Sequence, residues 1–250
     1  MGILYSSIEL ISHKLKEAEV PMETSVTSRA LGLEESLGEP SPYKDFALQR
    51  GVEKLMDVEI EGHHGQSFTS SPCNWVGTVG EILSMDIEDD RARALSIGAI
   101  NSLASLLGLS SKTVHCKDRE PELCGKEIAR WAEENTSSED IVGVVGYQPA
   151  ILSNLARTLG PERVRVLDLN PANIGQVRYD VTVWDGDRDL ETMANQASIC
   201  LATGSSLSNG TADSLLETFR SRGKELTFFG TTISGPAALL GLKHICPRSC

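Results

Sequence analysis

The sequence predicts an α/β protein, a Rossmann-like doubly wound parallel sheet preceded by a smaller α+β domain. Three observations carry this expectation. From residue 141 onward, short apolar runs alternate with helical stretches, the texture of βαβ units. Three of those runs break into loops of small hydroxyl, amide and glycine residues before the next helix. Upstream of residue 112 the pattern changes to helices and a hairpin with no such alternation. The division is therefore 1–112, an α+β domain, and 113–250, the Rossmann-like domain, with 113–140 as a connector that belongs to the second.

Taken in order, residues 4–19 place Leu4, Ile8, Ile11 and Leu15 at helical spacing, and Pro21 closes the element. Residues 32–45, rich in Gly, Pro and Ser, read as a loop. Residues 52–61 and 66–70 read as two strands of a hairpin around a Gly62-His63-His64-Gly65 turn. Residues 71–80 have no pattern and read as irregular. Residues 91–109 form an Ala- and Leu-rich helix with Asn101 among apolar neighbours, which makes Asn101 either a satisfied amide or a site residue. Residues 123–134 form another helix. The strands of the second half are 141–147, 164–169, 180–184, 199–203 and 226–230, with a helix at 150–159. Right-handed crossovers put the loops after these strands on one edge.

Composition bounds the function. The chain of 250 residues carries a net charge of -12, which excludes a nucleic-acid surface built on clustered Lys and Arg. No apolar run reaches the roughly 18 residues of a membrane helix, so no membrane partner is expected. The N-terminus lacks a basic region before an apolar one, unlike a secretory signal, and the six cysteines read as reduced thiols. A cytoplasmic protein is expected.

The three loops are Gly146-Tyr147-Gln148-Pro149, Thr203-Gly204-Ser205-Ser206 and 230–236. Pro149 and Pro236 suit helix starts, and Asn209 and Thr211 are candidate caps. Together the loops read as a pocket rim for a polar ligand. The first is not G-x-G-x-x-G, so a standard dinucleotide turn is not expected. Asp168 ends the second strand, where an acidic residue suits a ribose, so a transferase using an adenosyl ligand such as S-adenosylmethionine is one alternative. His115, Cys116 and Cys124 lie close in sequence and are the candidate metal ligands, soft to borderline donors suited to a transition metal. No G-x-S-x-G, P-loop or H-E-x-x-H is present, and no catalytic residue is assigned.

Several long segments resemble one family in its order. TGSSLSNGTADSLLE and FFGTTISGPAALLGLKHICP look like the C-terminal signature of the DUF364 proteins, a family linked by name to heavy-metal chelation. GYQPAILSNLA, LDLNPANIGQ, HGQSFTSSP, SIGAINSLASLLGL and TVHCKDREPELC are similar to further segments, so that the resemblance runs from about residue 45 to the end. Ser205-Ser206-Leu207-Ser208 departs from the usual two threonines and a valine or isoleucine. The resemblance implies a Rossmann-like C-terminal domain, an enolase N-terminal-like domain before it, and a site in the cleft between them. It places Gly146, Gln148, Asp168, Asn170, Thr203, Gly204, Ser205, Asn209, Thr211 and Thr232 on one wall, and Gln66, Thr69 and Asn101 on the other. The expected function is binding of a small molecule or metal ion, by a monomer or a homo-oligomer. The remaining alternative is a two-domain interaction protein without catalysis.

Overall fold

The computed structural model describes residues 2–38, 46–50 and 53–250. Two sheets organise the chain. The first is antiparallel, four-stranded, in the order β3-β2-β1-β4, and the second has seven strands in the order β11-β10-β9-β5-β6-β8-β7.

The N-terminal half opens with α1 (Ile3–Glu17), whose apolar stripe Ile3, Leu4, Ile11 and Leu15 is buried. β1 (Ser25–Ala30) follows. Residues expected as loop contain α2 (Leu33–Leu37), held by Glu35, whose carboxylate accepts from the Gly32 N–H at 3.0 Å. The rest of that expected loop, 39–45, lies outside the described residues. After α3 (Ala47–Arg50) come β2 (Lys54–Ile60) and β3 (His63–Thr69). The start of the expected strand at Val52 also lies outside the described residues.

The hairpin turn is tighter than its sequence suggested. Ile60 pairs with His63, so the turn is Glu61-Gly62, both at positive φ (52° and 77°), and both histidines stand in the strand. A two-residue turn with left-handed backbone matches the natural twist of the strands. The stretch expected to be irregular holds β4 (Trp75–Thr78), ordered by antiparallel pairing with β1 rather than by any pattern of its own. α4 (Val79–Leu83) and α5 (Asp90–Leu106) complete this half. Asp89 caps α5, its carboxylate accepting from the N–H groups of Arg91 and Ala92.

The second half alternates as expected. Its elements are α6 (Glu120–Glu134), β5 (Val142–Val145), α7 (Pro149–Leu159), β6 (Val164–Asp168), β7 (Val177–Arg178), β8 (Val181–Asp185) and α8 (Leu190–Gln196). Then come β9 (Ile199–Thr203), α9 (Ser205–Ser208), α10 (Ala212–Arg220), β10 (Leu226–Phe229), α11 (Ser234–Leu240) and β11 (His244–Ile245). β5, β6, β8, β9, β10 and β11 run parallel, and β7 is an antiparallel edge on β8. β7 and β11 have two residues each and carry no pattern that a sequence could show.

One face of the parallel sheet packs on α6 and α7 through Ile128, Ile151, Leu155 and Leu201. The other face joins a single apolar cluster that continues into the N-terminal half, from Phe228, Leu207 and Ile233 through Ile97 and Ile100 of α5 to Met56 and Val26. The two sheets therefore share a core. Ile3 N–H donates to Asp213 (2.7 Å), Phe68 N–H to the Thr232 hydroxyl (3.1 Å) and the Ser234 hydroxyl to Lys112 O (2.5 Å), stitching the halves along the same seam.

Candidate functional site

Among its six parallel strands, β5 comes first in the chain, β6 and β8 lie on one side of it, and β9, β10 and β11 on the other. Strand order reverses between β5 and β9, the point at which open α/β sheets leave a crevice beyond their carboxyl ends. A cavity of about 680 Å³ occupies that place, lined by the loops after β5, β6, β8, β9 and β10 and faced by Phe46, Leu48, Arg50, Glu53 and Phe68 of the N-terminal half. Its size is that of a small-molecule site.

Local backbone chemistry shapes the wall. Gly146 has φ 93°, and a Cβ there would sit 2.5 Å from Thr203 Cγ2, so the first and fourth parallel strands touch through a glycine. Pro149 opens α7, and the Gln148 side chain caps it by accepting from the Ile151 N–H at 2.6 Å. Asp168 accepts from the Tyr147 N–H at 2.8 Å through one oxygen and from the Asn170 N–H at 2.6 Å through the other. The loop after β9 departs from a single strand-to-helix turn. It forms the four-residue α9, with the Ser206 hydroxyl donating to Thr203 O at 2.7 Å. Asn209 ends α9, and its side chain accepts from both the N–H and the hydroxyl of Thr211, which precedes α10 without capping it through its side chain. Pro236 sits in the third position of α11, two residues later than expected.

Gly146, Gln148, Asp168, Asn170, Thr203, Gly204, Ser205, Asn209, Thr211 and Thr232 all line the cavity, together with His115, Cys116 and Cys124. Gln66, Thr69 and Asn101 stand behind it, each with its polar groups satisfied. Gln66 donates to Asp57 (3.0 Å) and accepts from the His115 N–H (2.7 Å), and the Thr69 hydroxyl accepts from the Ser71 N–H (3.0 Å). The Asn101 amide donates to the carbonyls of Gln66, Thr231 and Thr232 at 2.9–3.2 Å and accepts from the Gly235 N–H at 2.7 Å. Asn101 is thus a fully buried amide that closes hydrogen bonds across the seam.

Sequence reasoning missed Arg50, Glu53 and Phe68. Arg50 reaches the Asn173 side chain on the loop after β6. Glu53 faces Asp168, and burial, then the Asp168 charge, holds its carboxyl above the usual range. The only signal for Arg50 and Glu53 was their position just before β2, and Phe68 stands within β3.

His115 is half-buried with its ring edge-on to Phe68, centroids 5.0 Å apart. Burial, then the Lys117 charge, pulls its pKa down from 6.5 to about 4. Above pH 6.5 the folded and unfolded chains both carry a neutral imidazole. Below it the unfolded chain takes up a proton that folded His115 refuses until about pH 4. Stability should therefore decline by up to about 3 kcal/mol between these limits. Urea unfolding at pH 7, 5.5 and 4.5 checks this: the loss should shrink by that amount in His115→Asn.

Cys116 and Cys124 meet Cys246 from the far end of the chain. The Cys116 sulfur beside it, then burial, outweigh donation from Cys246 and push the Cys124 thiol up to about 12, and Cys124 with burial does the same to Cys246. Thiols so placed stay protonated at neutral pH, whereas metals bind thiolates. Among the described residues no three His, Cys, Asp or Glu side chains are grouped to hold a metal ion. The donor set does not fit a direct metal centre. The Ser205 hydroxyl has Thr203 Oγ1 at 3.4 Å as its hydrogen-bond neighbour, which is not a base.

Residues 131–244 match the model of the DUF364 family, described as "Putative heavy-metal chelation". A search of curated proteins returned no match. Two crystal structures of DUF364 proteins of unknown function share the fold. The one from Pyrococcus horikoshii aligns with TM-score 0.53 at 15% identity over 92% of this chain and 80% of its own. The one from Desulfitobacterium hafniense DCB-2 aligns with TM-score 0.53 at 12% identity over 95% of this chain and 81% of its own. The segment that matches the DUF364 family model runs from the last turn of α6 to β11 and so includes every loop on the sheet wall of the cleft.

Proposed function

We propose that this protein binds a small molecule in the cleft between the carboxyl edge of the parallel sheet and the elements of residues 46–68. The observation that carries this reading is the coincidence of the 680 Å³ cavity with the reversal in strand order. Thr203, Ser205, Asn209 and Thr211 supply short polar groups, while Leu48, Phe68, Leu169 and Leu190 supply apolar contact. On this reading 1–112 and 113–250 act as two domains whose shared core keeps the cleft open and rigid.

A second reading follows the family description. Cys116, Cys124 and Cys246 lie on the cleft wall, where a ligand that carries its own metal would meet them.

A thermal-shift screen of small metabolites, metal ions and metal complexes tests both. A true ligand at 100 times its dissociation constant stabilises by about 2.7 kcal/mol. The same ligand should leave Ser205→Trp unchanged, because the indole obstructs the cleft beside the loop after β9. If no compound discriminates between the two proteins, the cleft is not a binding site. Stoichiometric zinc, nickel or cobalt in untagged protein would instead establish direct chelation.

A further inference from the structure

We propose that the cleft's occupant is a ribonucleoside-bearing molecule, held through its ribose diol by Asp168 and carrying no pyrophosphate at the first turn. This rests on reading the cleft as a ligand site.

The strand order places Asp168 at the carboxyl end of β6, the second parallel strand, beside the reversal point. In this topology that position faces the sugar of a ligand lying across the crevice. The carboxylate is fixed by the Tyr147 and Asn170 N–H groups, one on each oxygen. An ionised carboxylate offers about four acceptor sites, so each oxygen keeps capacity for a further donor. A vicinal diol presents two hydroxyls at matching spacing. Beyond Asp168, Leu169 is 44% exposed yet lines the cavity. Gly186 closes on the same place, where a Cβ would lie 3.0 Å from Leu169 Cδ2 and 3.2 Å from Asp168 O. Leu169, Gly186 and Leu190 line the cavity on the side of this carboxylate and offer apolar contact to a base.

At the first turn, by contrast, three of the amides that could cradle a phosphate are engaged within the protein. Gly146 N–H donates to Leu167 O (2.8 Å), Tyr147 N–H to Asp168, and Ile151 N–H to Gln148. Pro149 has no N–H. The Glu53 and Asp168 carboxylates both face the same space, and Arg50 is engaged with Asn173. An anionic 5′ group meets two carboxylates there, whereas a neutral or cationic one is not repelled.

Isothermal titration on the wild-type protein tests this. The probes are the four ribonucleosides and S-adenosylhomocysteine, each beside its 2′-deoxy analogue, plus the nucleoside 5′-diphosphates. At least one ribonucleoside should bind, with its deoxy analogue and its diphosphate each at least about tenfold weaker, because a site that hydrogen-bonds a hydroxyl rejects the analogue lacking it. Asp168→Asn and Glu53→Gln are secondary variants, read beside their melting temperatures. Equal affinity for ribose and deoxyribose forms overturns the proposal, as does tighter binding of the diphosphate. If no ribonucleoside binds but another compound stabilises wild type and not Ser205→Trp, the nucleoside assignment is wrong and the cleft reading stands. If nothing discriminates Ser205→Trp, both fail.

Discussion

Gly65→Ala should destabilise the protein by about 4 kcal/mol or more, well beyond the usual cost of one added methyl in a core. β3 crosses α5 at this point with no side chain between them. A Cβ on Gly65 would lie 2.1 Å from both Gly98 O and Ser102 N, which are backbone atoms and cannot swing aside. Gly98 mirrors it from the helix, where a Cβ would meet Val58 Cγ2 at 2.5 Å. Relief requires the helix to separate from the sheet, opening the cluster of Met56, Val58, Ile97 and Ile100. Gly62, in the turn of the same hairpin, is the control. Its φ of 77° disfavours alanine, but open space surrounds it, so Gly62→Ala should cost only about 1 kcal/mol. Denaturant unfolding of the two variants measures the difference. Similar losses would show that the close approach is not rigid.

Asn101→Leu should cost about 4 kcal/mol, because it takes a hydrogen bond from four partners at once. The Gly235 N–H and the carbonyls of Gln66, Thr231 and Thr232 each lose one inside a site with no exposure, and Thr231 O keeps a second donor, the Ser234 N–H. Each buried orphan costs roughly 1–3 kcal/mol, and relaxation recovers part of the sum. Asn101→Asp should be worse at neutral pH, since it turns a carboxylate toward three carbonyl oxygens, and should recover partly in acid as the protonated form regains one donor. Both follow from denaturation curves at two pH values. A loss under 1 kcal/mol for either variant would mean that water replaces the amide.

The sequence made the parallel sheet legible because a strand buried on both faces must be a short apolar run, as 142–145 and 199–203 are. Strand order was not legible. Nothing local tells Ile199–Thr203 to pair with Val142–Val145 rather than with Val181–Asp185. β1 and β4 escaped notice for a related reason: Ser25–Ala30 has Val26 as its one large apolar residue, and partner strands hold it in place. The cleft loops could be read because Gly, Pro and hydroxyl residues announce strand-to-helix turns. The facing wall could not. The family resemblance put Gln66, Thr69 and Asn101 on that wall, and their polar groups are engaged in hydrogen bonds behind the cavity. The meeting of Cys246 with Cys124, 122 positions apart (246 − 124), depends wholly on tertiary structure.

Native mass spectrometry tests most directly whether the reversal-point cleft holds a small molecule. Wild-type protein and Ser205→Trp are each equilibrated with the low-molecular-weight fraction of a cell extract, after equal melting temperatures show that both are folded. The cleft assignment predicts a discrete adduct on wild type that is absent from Ser205→Trp. An adduct of equal abundance on both proteins, or none on either, would contradict it.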